Sequence, residues 1–130
     1  MGAHPQLAKC PPTTQIGRMQ NTDIITEYHG HIYFDEATKA QAEQLCLKAR
    51  DMFGVSMGRM HDRPVGPHPM GSCQLGATPE QFAKLLPWLA LNHAGLIVFC
   101  HPSTGDHLAD HRDHAIWIGA GLELNLAVFG

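Results

Sequence analysis

The stretch Ile24 to Phe34 limits the folds open to this chain more than any other, because its residues sort into two sets with a period of two. Ile24, Thr26, Tyr28, Gly30, Ile32 and Phe34 share one parity, and Ile25, Glu27, His29, His31 and Tyr33 share the other. Successive side chains of a β-strand point to opposite faces, so this strand has one mostly apolar face and one face bearing chemistry. The apolar face needs a cover, and the next residues supply it. Asp35 is placed to cap a helix beginning at Glu36, with Ala42, Leu45, Cys46, Ala49, Met52 and Phe53 at helical spacing until Gly54 stops it.

Val55 to Met60 then reads as a strand, Asp62 to Pro69 as a loop rich in Pro and Gly, and Met70 to Leu75 as a further short strand. Thr78-Pro79-Glu80-Gln81 combines an N-cap, a proline at the first helical position and a capping-box glutamine. The helix it opens runs through Phe82, Leu85, Leu86, Leu89 and Ala90 toward Gly95, with a kink expected at Pro87. Leu96 to Cys100 is a short unbroken apolar run of strand length. The resulting order, βαββαβ, predicts an α+β fold: a ferredoxin-like sandwich whose antiparallel sheet carries both helices on one face and leaves the other free for a ligand or partner. Ala115 to Ile118 and Leu122 to Phe129 are expected as extra C-terminal extended segments, at the sheet edge or across a dimer interface. Residues 24–130 form this domain. Residues 1–23, which include His4-Pro5 and Pro11-Pro12 and show no periodicity, are read as an N-terminal arm.

A chain of 130 residues is long enough for one hydrophobic core without disulfide or metal staples. Its net charge of −3 leaves no basic grip for nucleic acid. No apolar run approaches the ~20 residues of a membrane span, and the amino terminus lacks a charged-then-apolar signal pattern, so a cytoplasmic protein is expected. Cys10, Cys46, Cys73 and Cys100 are widely separated and form no CxxC pair, which predicts reduced thiols rather than a zinc ribbon or redox site. A GxSxG nucleophile elbow is not expected, and a P-loop, a GxGxxG turn and an HExxH helix are all missing.

Ten histidines carry the chemical signal. His29-Gly30-His31 puts two imidazoles on one sheet face, about 7 Å apart at Cα, which suits two ligands of one ion or a ligand and its acid–base neighbour. His68 lies between Pro67 and Pro69, whose rings restrict the backbone on either side. His101 follows the buried run and should emerge at the end of an internal strand. His107, His111 and His114 fall on one side of a helical turn if Leu108 to His114 is helical, with Asp110 and Asp113 as hydrogen-bond partners. Glu27 and Asp106 are candidate carboxylate ligands. Each of these residues also has an ordinary reading as packing or solvated surface, and only their convergence separates the two.

Three stretches taken together add a resemblance: His29-Gly30-His31-Ile32-Tyr33-Phe34, Gly66-Pro67-His68-Pro69-Met70-Gly71, and His101-Pro102-Ser103-Thr104-Gly105-Asp106 continuing through Asp110-His111-Arg112-Asp113-His114-Ala115-Ile116-Trp117-Ile118-Gly119. In this order and spacing they resemble the DOPA 4,5-dioxygenase family. The resemblance implies a small ferredoxin-like homodimer that performs non-haem iron(II)-dependent extradiol cleavage of a catechol such as DOPA with O₂. It implies a metal site drawn from His29, His31, His68 and His101, holding Fe(II) or, as purified, zinc. It further implies acid–base work by His111 and His114, and substrate contacts from Tyr33 and Arg112, the latter to a carboxylate. A two-His-one-carboxylate site, a three-His site and a site that includes Glu27 all stay open. His29 should lie near the His101 end of the sheet while His68 enters the third strand from the opposite end, so the four are not all expected at one ion; His31 and His101 rank first, then His29 and His68. The rival readings are a non-catalytic dimeric metal- or small-molecule-binding protein and a cofactor-free monooxygenase of similar topology.

Overall fold

The computed structural model of the chain describes residues 19–130. The arm proposed for residues 1–23 lies mostly outside the described residues, as does Cys10. A 3₁₀ turn at Thr22–Ile24 leads into strand β1 (Glu27–Phe34), helix α1 (Lys39–Phe53), β2 (Ser56–Met57), β3 (Gly71–Ala77), helix α2 (Pro79–Asn92), β4 (Val98–Ser103), the short helix α3 (His107–Arg112), β5 (Ile116–Ile118) and a closing 3₁₀ turn at Leu126–Phe129. The strands form one sheet in the order β2-β3-β1-β4-β5, every neighbouring pair antiparallel. The first four strands have the ferredoxin-like arrangement, with β3 filling the gap left by the crossover from β1 through α1 to β2. β5 extends the β4 edge.

The alternation along β1 sorts the two faces as expected. Ile32 and Phe34 join Cys73, Leu75, Val98 and Cys100 from the flanking strands in a core closed by α1 and α2. α1 buries Ala42, Cys46 and Ala49 and ends at Gly54, whose left-handed φ of 73° suits a residue without Cβ. α2 opens on the expected capping box: Gln81 N donates to Thr78 Oγ1 at 3.1 Å, and Thr78 N donates to the Gln81 side chain at 2.9 Å. Replacing Thr78 by Ala removes one of these bonds and should lower stability by about 1 kcal/mol, read as a shift in the urea midpoint at unchanged slope. The helix continues past Pro87 to Asn92.

Several local expectations are corrected. α1 starts at Lys39 rather than Glu36, because Asp35 Oδ1 is occupied by Thr38 N at 2.9 Å in a tight turn that precedes the helix. Met52 is 51% exposed, outside the core. The strand expected over residues 55–60 shrinks to Ser56–Met57, although His61 bridges back to Ser72 further on. β4 extends beyond Cys100 to Ser103, since β1 offers partners as far as Glu27, so His101 lies inside the strand instead of just after it. Of the two C-terminal segments only Ile116–Ile118 pairs with the sheet; Leu126–Phe129 is a 3₁₀ turn packed on α3.

Candidate metal centre

The site is built by strand register. His29 on β1 stands directly across from His101 on β4, and His31 stands across from Phe99, so three imidazoles and a phenyl ring share the sheet face turned away from α1 and α2. One potential ligand atom from each of His29, His31 and His101 lies within 4.8 Å of the other two. His31 Nε2 and His101 Nε2 face each other at 3.2 Å. His101 Nδ1–H donates to the Pro102 carbonyl at 2.9 Å, which leaves its Nε2 with a lone pair. Two facing ring nitrogens of this kind can share a proton or a cation, and a backbone carbonyl that fixes the tautomer from behind is a usual support for a metal-binding imidazole. Glu27 Oε2 sits 3.2 Å from His29 Nε2, the nearest carboxylate to the group by hydrogen bonding.

Burial tunes His31 and His101 toward the neutral form that metal ligation requires. His31 and His101 are each only 3% exposed. Loss of solvent, reinforced by the neighbouring imidazoles, holds His31 well below its ordinary value, and loss of solvent pushes His101 down to about 4 against a smaller opposing effect of the Pro102 bond.

The remaining sequence candidates divide. His68 was expected to enter from the far end of the sheet, but its loop folds back across the face and its ring centroid lies 4.1 Å from that of His31. It stays outside the close group of three. Its Nδ1 shares a 2.7 Å hydrogen bond with the hydroxyl of the buried Tyr33, and burial pushes it down to about 4. Burial pushes the Tyr33 phenol upward, so it remains protonated at neutral pH. His111 packs on His101 with ring centroids 4.0 Å apart, and its Nδ1–H donates to His107 O at 2.7 Å, leaving Nε2 free to accept a proton.

His114 does not share a helical face with His111. α3 ends at Arg112, with Ala109 O accepting from both Asp113 N and His114 N, so His114 lies beyond the last turn, half-buried. Arg112 is exposed and grips the Asp113 carboxylate through two 2.8 Å bonds. Asp106 caps α3 by accepting from Ala109 N, and Asp110, 1% exposed, accepts from Thr104 N and Oγ1; both carboxylates brace the β4–α3 corner. The residue missed by sequence reasoning is Phe99, at 0% exposure the apolar floor beneath His31, His101 and His111. Its place two positions before His101 in a strand is the signal that would have found it.

The GxSxG pattern expected to be missing is present in letters as Gly54-Val55-Ser56-Met57-Gly58. They carry no nucleophile elbow: Ser56 lies on an edge strand that follows a helix, and its hydroxyl reaches Gly76 O at 3.5 Å.

Fold and site together define a ferredoxin-like α+β protein whose helix-free face gathers imidazoles able to hold a metal ion. Comparison with known proteins agrees: residues 28–128 match the model of the Dopa 4,5-dioxygenase family. The chain belongs to that family. It is 33% identical over 126 residues to a DOPA 4,5-dioxygenase of Amanita muscaria, an alignment covering 89% of this chain and 54% of that protein. It is 36% identical over 110 residues to an uncharacterized 21.2 kDa protein of Botryotinia fuckeliana, covering 75% of this chain and 60% of the other. The chain thus spans little more than half the length of these curated relatives. A crystal structure of a proposed dioxygenase from Nostoc punctiforme superposes with a TM-score of 0.75 at 39% identity, covering 85% of this chain and 96% of that one. Among the described residues no helix is long and apolar enough to cross a membrane.

Proposed function

We propose that this protein is a non-haem iron(II)-dependent extradiol dioxygenase that opens the ring of a small catechol, such as DOPA or a related dihydroxyphenyl compound, with O₂. The observation that carries the reading is the mutual approach of His29, His31 and His101 on one sheet face. Iron(II) held there by His29, His31 and His101 would supply the centre at which catechol and O₂ are activated together. The protein's own groups divide the rest of the work. His29, His31 and His101 offer ring nitrogens as ligands, while His68, beside His31, is a further imidazole at the margin. His111 takes a catechol proton at Nε2 and returns it to a leaving oxygen, with its ring held by the His107 carbonyl. Tyr33, hydrogen-bonded to His68, is the substrate contact on that side of the imidazole group. Phe99 keeps water from beneath the reacting groups. Arg112 serves a substrate carboxylate at the rim by exchanging Asp113 for it, and His114, past the end of α3, is the lesser acid–base candidate. A cytoplasmic homodimer belongs to the same reading, and light scattering on the purified protein tests the dimer.

Protein loaded with iron(II) under anaerobic conditions should consume one O₂ per catechol and form a yellow ring-opened product. No turnover across a broad catechol panel at stoichiometric iron would falsify this reading, and a closed four-ligand zinc shell would support the binding-module alternative. His111→Ala should lower kcat by about 10²–10⁴-fold, the usual worth of a positioned acid–base group, with metal content unchanged by elemental analysis.

A further inference from the structure

His29, His31 and His101 are held by the sheet's hydrogen-bond ladder, whereas His68 and His111 sit on a loop and on a six-residue helix. A helix that short has little stability of its own and needs tertiary partners to hold a side chain in place. Asp110 fixes the start of α3 through Thr104, but its bonds leave the outer side of the His111 ring unsupported. The C-terminal segment supplies that support. After β5 the chain passes the His68 loop, where Asn125 N donates to Pro67 O at 2.9 Å, and then turns so that the Phe129 ring lies 4.4 Å from that of His111 at a tilt of 36°. His111 is therefore flanked by His101 at 4.0 Å and Phe129 at 4.4 Å, with Phe99 at 5.9 Å. Phe129 also faces His107, whose carbonyl holds the His111 tautomer.

We propose that Phe129 is a positioning residue for His111: an aromatic wall on a C-terminal strap, anchored at Pro67, that keeps the imidazole turned toward the metal-binding histidines instead of swinging into solvent. The catalytic consequence rests on His111 being the acid–base group, but the packing role does not. With Phe129→Ala the ring gains free space on one side, whereas Phe129→Tyr preserves the wall.

The test compares Phe129→Ala, Phe129→Leu and Phe129→Tyr with the parent, each as the chain of 130 residues. In metal-free protein, carbethoxylation of each histidine by diethyl pyrocarbonate is followed by peptide mass mapping. The expected result is several-fold faster modification of His111 in Phe129→Ala, an intermediate rate in Phe129→Leu and the parental rate in Phe129→Tyr, with His31 and His101 unchanged. An unchanged His111 rate in Phe129→Ala overturns the proposal, and so does equal acceleration at all three histidines, which would report general loosening. If Phe129→Ala fails to fold, the Leu and Tyr variants decide by the same comparison. In iron-loaded protein, kcat should fall by about tenfold in Phe129→Ala with KM and iron content preserved and recover in Phe129→Tyr, the pattern of a misplaced catalytic group. Absence of dioxygenase turnover in the parent would sink the proposed function and leave the labelling experiment to decide the role of Phe129.

Discussion

His101→Ala should leave the purified protein without bound metal, falling from about one ion per chain to near zero by elemental analysis, with turnover lost alongside. The expectation rests on the facing nitrogens of His31 and His101, 3.2 Å apart, and on the close group they form with His29. Mutating a supporting outer partner of a metal ligand already costs about 10–100-fold in affinity, so removing a ligand from a group of three should cost more. His31→Ala should behave in the same way, whereas His68→Ala, outside the close group, should retain metal. Stoichiometric iron in the His101 or His31 variant would overturn the ligand assignment. Circular dichroism separates this outcome from misfolding, since the core on the opposite face does not involve these rings.

Acidification should destabilise the metal-free protein by several kcal/mol between pH 6.5 and 4. His68 and His101 are held down to about 4 by burial, and His31 is also held well below its ordinary 6.5. Above pH 6.5 these rings are neutral in both folded and unfolded chains, and stability is at its full value. As pH falls below 6.5 the unfolded chain takes up protons that the folded chain refuses, so stability declines until the folded rings titrate near 4. At ~1.4 kcal/mol per pKa unit, His68 and His101 are each worth of order 3 kcal/mol at the acid end. That is a large part of the 5–15 kcal/mol that stabilises a typical domain. Urea titrations at pH 7.5, 6, 5 and 4.5 measure it; a flat profile over this range would show that the imidazoles are solvated. Bound metal should shift the loss to lower pH until protons displace it.

Much of the fold could be read from the sequence because its signals are local. Alternation in β1, the Thr78 capping box and the Gly54 stop each act within a few residues; the box and the stop are found where expected, while the strand begins at Glu27 rather than Ile24, behind the 3₁₀ turn at Thr22–Ile24. The errors concern local rules in competition. Asp35 can serve either a helix or a turn, and it serves the turn. The apolar composition of Leu122 to Phe129 does not distinguish a strand from a turn packed on a neighbour, and α3 decides for the turn.

The site was less legible. Strand parity placed His29 and His31 on one face, but whether His101 stood beside them depended on register, and the alternation within a single strand does not reveal which residue of another strand lies opposite. The path of the His68 loop and the packing of Phe129 on His111 depend on where distant segments come to rest.

From the sequence alone came an antiparallel α+β sheet with helices on one side and histidines on the other, because side-chain periodicity is a short-range property of the backbone. Only the tertiary structure decided which imidazoles meet, which are buried and therefore neutral, and that Arg112 and His114 stand apart from the closest group. Those outcomes are set by pairing and packing between residues 70 or more positions apart, His31 with His101 and His29 with His101, where desolvation and distance depend on the whole fold.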